Sequence, residues 1–256
     1  MVKMDSVKKI KIMYGPCSDR VFGFIYENEN EDKKNRKAVI LCHGYNSCQA
    51  DLEYMAQALA NEGYLALTID FRGGGTRVIS MGKTTDMSLK TEVEDVCGAV
   101  EFINRTRGGQ FDKLFLYGES QGGLVSLLTA AMLGDKIAGL LLLYPALCIP
   151  DDMSKVTIPE GENHHLMGMD ISQKYLDEVP KFDVYEMIKN FGGSMTIAHG
   201  DNDRIVNISY SQRLYDQQKG LGRDVTFDVF ENEDHGFSPM GCARWSQIVL
   251  NRLKGE

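Results

Sequence analysis

Six short apolar runs constrain the fold more than any other feature of the sequence: residues 38–42 (Ala-Val-Ile-Leu-Cys), 65–69 (Leu-Ala-Leu-Thr-Ile), 114–117 (Leu-Phe-Leu-Tyr), 140–143 (four leucines), 195–198 (Met-Thr-Ile-Ala) and 225–230 (Val-Thr-Phe-Asp-Val-Phe). Most are continuous rather than alternating, as expected of strands covered on both faces. Helical periodicities separate them at 51–61, 89–105, 122–132, 210–218 and 243–253. This alternation predicts an α/β fold, with a mostly parallel central sheet, right-handed crossovers and helices on both faces. Two β-rich segments, 8–13 and 20–26, precede the runs and read as an antiparallel pair. They bring the sheet to about eight strands.

At 256 residues, with 43% hydrophobic and 25% charged residues, the chain fits one globular domain with a sizeable core. The one interruption is 148–190, some forty residues containing Pro150, Pro159, Pro180 and the pair His164-His165. A connection that long between core elements carries function more often than not. It is expected to form a cap over the site. Within it Met167, Met169, Tyr175 and Phe182 are candidates either to line an apolar pocket or to form the cap's own small core.

A net charge of −8 with scattered basic residues argues against a nucleic-acid partner. The mixed-charge stretch 27–37 reads as a solvated connection. The six cysteines show no C-x-x-C pair and no metal spacing with the five histidines, so free thiols in a reducing compartment are expected. No metal is implied. No apolar run has the length of a membrane span, and residues 1–12 do not form a signal peptide, so a cytoplasmic location without a membrane partner is expected.

The strand at 114–117 runs into Gly118-Glu119-Ser120-Gln121-Gly122-Gly123 and then a helix. G-x-S-x-G in this strand–turn–helix context strains the backbone so that the serine projects from the carboxyl edge of the sheet. Gly118 and Gly122 remove side chains that would collide with the turn. Ser120 is therefore the candidate nucleophile, and the amide of Gln121, at a helix N-terminus, a candidate donor to an oxyanion.

A serine needs a base, and the base needs an orienting group. His235, in Glu233-Asp234-His235-Gly236-Phe237, follows the last strand and returns to the carboxyl edge, which makes it the candidate base. His199 reads as buried support, the pair His164 and His165 as solvent-exposed, and His43 as structural. Asp201 and Asp203 both follow the strand at 195–198 and compete as the orienting carboxylate, since either gives the chain order Ser, Asp, His expected of this strand–turn–helix arrangement. Asp234 is a poor candidate, because neighbouring side chains on an extended segment diverge. The turn His43-Gly44-Tyr45-Asn46-Ser47 after the strand at 38–42 offers the amide of Tyr45 as a second oxyanion donor. Gly73-Gly74-Gly75 lacks the P-loop lysine and the G-x-G-x-x-G spacing, so it reads as a flexible loop near the site rather than a nucleotide cradle.

From Ala38 onward these residues resemble the α/β-hydrolase family, within which the chain is similar to bacterial cinnamoyl and feruloyl esterases. The stretches that carry the likeness are D-F-R-G-G-G (70–75), G-K-T-T-D-M-S (82–88), G-E-S-Q-G-G (118–123), H-G-x-x-D ending at Asp203, E-D-H-G-F around His235, and F-D-V-Y (182–185). The resemblance implies an α/β-hydrolase fold with a cap inserted after the sixth strand and a triad of Ser120, Asp203 and His235. It places the oxyanion hole at the amides of Tyr45 and Gln121. It also implies hydrolysis of small aromatic-acid esters without cofactor or metal, the partner being a small-molecule ester and a homodimer the assembly it admits. One departure is Glu119, where those esterases commonly carry histidine. Two alternatives stay open: a serine exopeptidase or amidase with the same triad, and a non-catalytic binding module.

Overall fold

The computed structural model describes residues 7–28, 36–179 and 183–256. Phe182 and most of the mixed-charge stretch lie outside them. The apolar runs become strands whose alternate side chains enter two different cores. The chain order is β1 (Val7–Tyr14), β2 (Val21–Asn28), β3 (Lys37–Cys42), α1 (Glu53–Asn61), β4 (Leu65–Ile69), α2 (Leu89–Arg107), β5 (Lys113–Glu119), α3 (Gln121–Leu133) and β6 (Gly139–Leu143). There follow α4 (Ile149–Met153), a small hairpin of β7 (His164–Leu166) and β8 (Met169–Ile171), α5 (Gln173–Glu178) and α6 (Val184–Ile188). The chain closes with β9 (Ser194–Gly200), α7 (Ser209–Gly220), β10 (Val225–Phe230) and α8 (Pro239–Gly255).

Eight strands form one sheet in the order β1-β2-β4-β3-β5-β6-β9-β10. The first two pairings are antiparallel and the rest parallel, with Ile40 opposite both Leu67 and Leu116. On β3, Ile40 and Cys42 face a core shared with α2, α3 and α5, whereas Val39 and Leu41 face one built from α1 and α8. This period of two explains why most of the runs are apolar without interruption: on the inner strands neither face meets water, whereas β10, at the sheet edge, is half-exposed and carries Thr226 and Asp228. Helix α3 is buried from Gln121 through Ala130, as a helix packed on several sides must be.

One helix boundary and one hairpin differ from the sequence expectation for identifiable reasons. Helix α8 begins at Pro239 rather than 243: Ser238 caps it by accepting from the Gly241 amide, and Pro239 brings its fixed φ to the first helical position, where no amide donor is needed. The hairpin β7–β8 has no Asn-Gly turn signal; its two turn residues, Met167 and Gly168, both lie at positive φ (44° and 82°), the type I′ geometry.

Strand order reverses at β3: the chain goes from β3 to β4 on one side and to β5 on the other. Ligand sites of open α/β sheets form at such a point, beyond the carboxyl ends of the strands.

Candidate active site

Strand β5 delivers Ser120 at the first turn of α3 with φ 52° and ψ −120°, a conformation that L-residues avoid. Close packing enforces it. A Cβ at Gly118 would lie 2.3 Å from Gly122 O, and one at Gly122 would lie 2.3 Å from Cys42 O and 2.4 Å from His43 O. The Ser120 amide donates to Leu143 O (3.0 Å) and its carbonyl accepts from the Ala146 amide (2.9 Å). The nucleophile turn is thus wedged against β3 and bonded to the end of β6.

His235 and Asp203 arrive from the loops after β10 and β9. His235 Nε2 stands 2.9 Å from Ser120 Oγ, and its Nδ1 stands 2.8 Å from Asp203 Oδ2. The carboxylate fixes the tautomer: Nδ1 donates to Asp203 and Nε2 accepts from the serine hydroxyl. Asp203 Oδ1 accepts from the amides of Ile205 (2.9 Å) and Val206 (2.8 Å). His199, fully buried, adds a third support: its Nε2 lies 3.1 Å from Asp203 Oδ2 and 2.9 Å from Val206 O, while Nδ1 accepts from Ser211 Oγ (2.8 Å). Burial alone would raise the Asp203 carboxyl, but the hydrogen bonds from His199, His235 and the Val206 amide outweigh it and hold the group below the usual carboxylate range.

Asp201 accepts from the Asn232 amide (2.6 Å), tying the acid loop to the base loop. Asp234 meets no triad side chain: it accepts from the backbone amides of Arg204 and His235 and pairs with the Arg204 guanidinium. His164 and His165 lie on β7, His165 paired with Asp170 in solvent (2.8 Å). His43 is buried, with Nδ1 donating to Gly44 O (2.8 Å) and Nε2 accepting from the Phe71 amide (3.1 Å). Burial lowers its pKa and keeps it neutral.

Tyr45 sits in a loop braced by the segment after β4. The Asn46 amide donates to Gly74 O (3.2 Å), and Asn46 Oδ1 accepts from the Thr76 amide (2.9 Å). The expectation of a flexible triglycine loop is corrected here. A Cβ at Gly74 would meet Phe71 Cβ at 2.6 Å, and one at Gly75 would meet Ser47 O at 2.4 Å, so these glycines permit close packing rather than motion. The neighbouring Asp70 and Arg72 lock the loop further. Asp70 accepts from the amides of Gln49 (2.7 Å) and Ile79 (2.9 Å), and Arg72 pairs with Asp95 on α2.

Sequence reasoning missed the surroundings of Glu119. Its Oε1 accepts from the hydroxyls of Tyr117 (2.6 Å) and Tyr54 (2.9 Å), and its Oε2 from Tyr144 (3.4 Å). Burial raises this carboxyl against the opposing influence of those three donors. Tyr144, at φ 36°, also lays its ring 4.5 Å from that of His235. Nothing in the local sequence marks this cage, because its members come from α1, β5 and the end of β6.

A cleft of about 210 Å³ opens above Ser120, lined by Gly44, Tyr45, Glu119, Tyr144, Met167 and Ile205 beside Ser120 and His235. Met167 (58% exposed) and Ile205 form an apolar rim. Of the other candidates in the insertion, Met169 and Tyr175 are buried in the core. All six cysteines are free thiols. Among the described residues no helix is long and apolar enough to cross a membrane, and no three His, Cys, Asp or Glu side chains gather into a group that could hold a metal ion.

The fold and the Ser-His-Asp geometry are those of an α/β-hydrolase. The chain belongs to the family described as serine aminopeptidase, S33, whose profile matches residues 33–176; it is a hydrolase. No curated protein sequence matches it. Among solved structures it is similar to Est1E from Butyrivibrio proteoclasticus with ferulic acid bound, at TM-score 0.82 and 19% identity, covering 95% of this chain and 99% of that one. It is also similar to the esterase Pf2001 from Pyrococcus furiosus (TM-score 0.71, 20% identity, 98% and 92% covered). A third similar structure is the monoacylglycerol lipase of Paleococcus ferrophilus (TM-score 0.68, 18% identity, 96% and 98% covered).

Proposed function

We propose that this protein is a serine esterase acting on small aromatic-acid esters of the cinnamoyl and feruloyl type through an acyl-enzyme at Ser120. The observation that carries the reading is the continuous hydrogen-bonded line from Ser120 Oγ through His235 to Asp203, opening into a cleft. His235 takes the Ser120 proton as Oγ attacks the ester carbonyl, and the amides of Tyr45 and Gln121 receive the oxyanion. The protonated His235 then donates to the leaving alkoxide, and water, activated by the same imidazole, releases the acid. The cleft is smaller than the ~300–1,000 Å³ typical of drug-sized ligands, which suits one ring on a short linker. Ferulic acid bound to Est1E supports the same acyl class.

In this reading the chain is one catalytic domain, and residues 148–190 serve as its cap. The free thiols suit a cytoplasmic enzyme.

The test is hydrolysis of methyl ferulate beside p-nitrophenyl butyrate by wild type and Ser120→Ala. The variant is expected to lose at least about 10⁴-fold in kcat on both; near-normal turnover would remove Ser120 from the mechanism. A second reading, cleavage of aminoacyl amides, is favoured by the family's description. Turnover of an aminoacyl anilide in place of both esters would establish it.

A further inference from the structure

Both residues assigned to the oxyanion hole also use their side chains, or their neighbour's, to hold the insertion above. Tyr45 Oη donates to Leu166 O (3.2 Å), next to Asn46 Nδ2, which donates to Met167 O (3.1 Å) at the positive-φ hairpin turn. On the other side, Tyr175 Oη from α5 donates to Gln121 Oε1 (2.7 Å), and Gln121 Nε2 donates to Glu92 Oε2 on α2 (2.8 Å). Glu92, Gln121 and Tyr175 are each 1% exposed. The Gln121 side chain is therefore clamped at both polar ends inside the protein, between the insertion and the helix that underlies the triglycine loop.

We infer that Tyr175 and Glu92 are positioning residues that aim the Gln121 amide at the oxyanion, so that the insertion takes part in the rate of acyl transfer and not only in substrate choice. This rests on the serine-hydrolase reading above. The physical basis is that an oxyanion donor acts through a preorganised direction. Gln121 heads α3 next to a backbone turn held in a disfavoured conformation, and a clamp on its side chain limits rotation of the peptide that carries its amide. Glu92 suits a place so near a developing negative charge, because burial pushes its carboxyl well above the ordinary range and favours the neutral acid. Its Oε1 has no hydrogen-bond partner among the described residues and lies 3.2 Å from where a Cβ on Gly74 would stand, so the acid fills the space that glycine leaves.

The experiment compares Tyr175→Phe, Glu92→Gln and Glu92→Leu with wild type. It measures kcat and KM on p-nitrophenyl butyrate, and the second-order rate of labelling by a fluorophosphonate, whose phosphoryl oxygen occupies the same hole. Rates are normalised to folded protein, determined by circular dichroism and thermal melting. Tyr175→Phe is expected to lower kcat and the labelling rate about tenfold, a fraction of the ~10²–10³ that deleting a donor outright costs, with KM within about twofold of wild type. Glu92→Gln keeps an acceptor for Gln121 Nε2 and is expected to restore most of the rate, whereas Glu92→Leu should fall with Tyr175→Phe. Unchanged rates per folded molecule in Tyr175→Phe and Glu92→Leu would overturn the positioning role, as would a change confined to KM. Failure of wild type itself to label at Ser120 would instead overturn the serine-hydrolase reading, and the positioning role with it.

Discussion

The floor of the cleft and its roof are built by different means. The floor hangs Ser120, Asp203, His235 and the Tyr45 turn from the carboxyl ends of β5, β9, β10 and β3, four mutually parallel strands of one sheet. Backbone fixes the nucleophile and the acid: a wedged glycine and a bond to the Leu143 carbonyl hold Ser120, and a pair of amides holds Asp203. The roof is two three-residue strands and three helices of five or six residues, none long enough to be stable alone. It is held by apolar side chains such as Met169, Ile171, Leu176 and Ile188 that enter the core, and by the hydroxyls and amides of Tyr45, Asn46 and Tyr175. In the function proposed above, the difference teaches that chemistry and substrate choice rest on separate supports, which the Gln121 clamp joins.

The sharpest way to break that comparison is to strike the floor. Asp203→Asn should reduce kcat/KM about 10⁴-fold on every ester, because the amide no longer enforces the productive imidazole tautomer; a loss below about tenfold, read from steady-state rates, would mean that Asp203 does not orient the base. Gly122→Ala comes next. Its Cβ would meet two main-chain oxygens that cannot swing aside, so urea unfolding should show a loss of about 3 kcal/mol. Wild-type stability in that variant would show that the turn is not wedged.

A third test uses pH. Burial raises the Asp95 carboxyl to about 6 despite its bonds to Arg72, against about 3.9 in the unfolded chain. The folded protein therefore holds a proton that the unfolded chain releases between about pH 4 and 6, and stability falls as pH rises through that window. The contribution is at most about 3 kcal/mol. Asp95→Asn should remove this slope from the melting temperature; an identical slope in both proteins would show that Asp95 does not titrate there. The smallest effect belongs to the roof. Met167→Ala should leave stability within about 0.5 kcal/mol while changing the ratio of ferulate to butyrate turnover, and an unchanged ratio would remove the rim from substrate selection.

The same division decided what could be read from sequence. Ser120, His235 and Asp203 stand in local patterns whose residue types are dictated by backbone geometry: glycine where a Cβ cannot fit, histidine where the chain returns to the sheet edge. The sheet was legible because burial on both faces leaves uninterrupted apolar runs. The Glu119 cage and the Glu92–Gln121–Tyr175 chain were not, since their members lie far apart in sequence. The span reaches 128 positions between Tyr117 and Trp245, whose indole also donates to that tyrosine's hydroxyl. The hairpin escaped because a methionine occupies a turn position where asparagine or glycine would have announced it. The triglycine stretch misled for a related reason: glycine alone does not distinguish freedom from crowding.

One further consequence follows from the position of β9. It enters the sheet between β6 and β10, yet the chain reaches it from β6 only after the whole of residues 144–193. Ser120 and His235 are 115 positions apart, and their meeting requires both of the last two parallel pairings. Such distant contacts are reached slowly during folding. In the proposed mechanism a refolding chain can thus bury most of its apolar surface and present Ser120 before His235 reaches it, so recovered turnover is expected to time the closing of the sheet rather than its collapse.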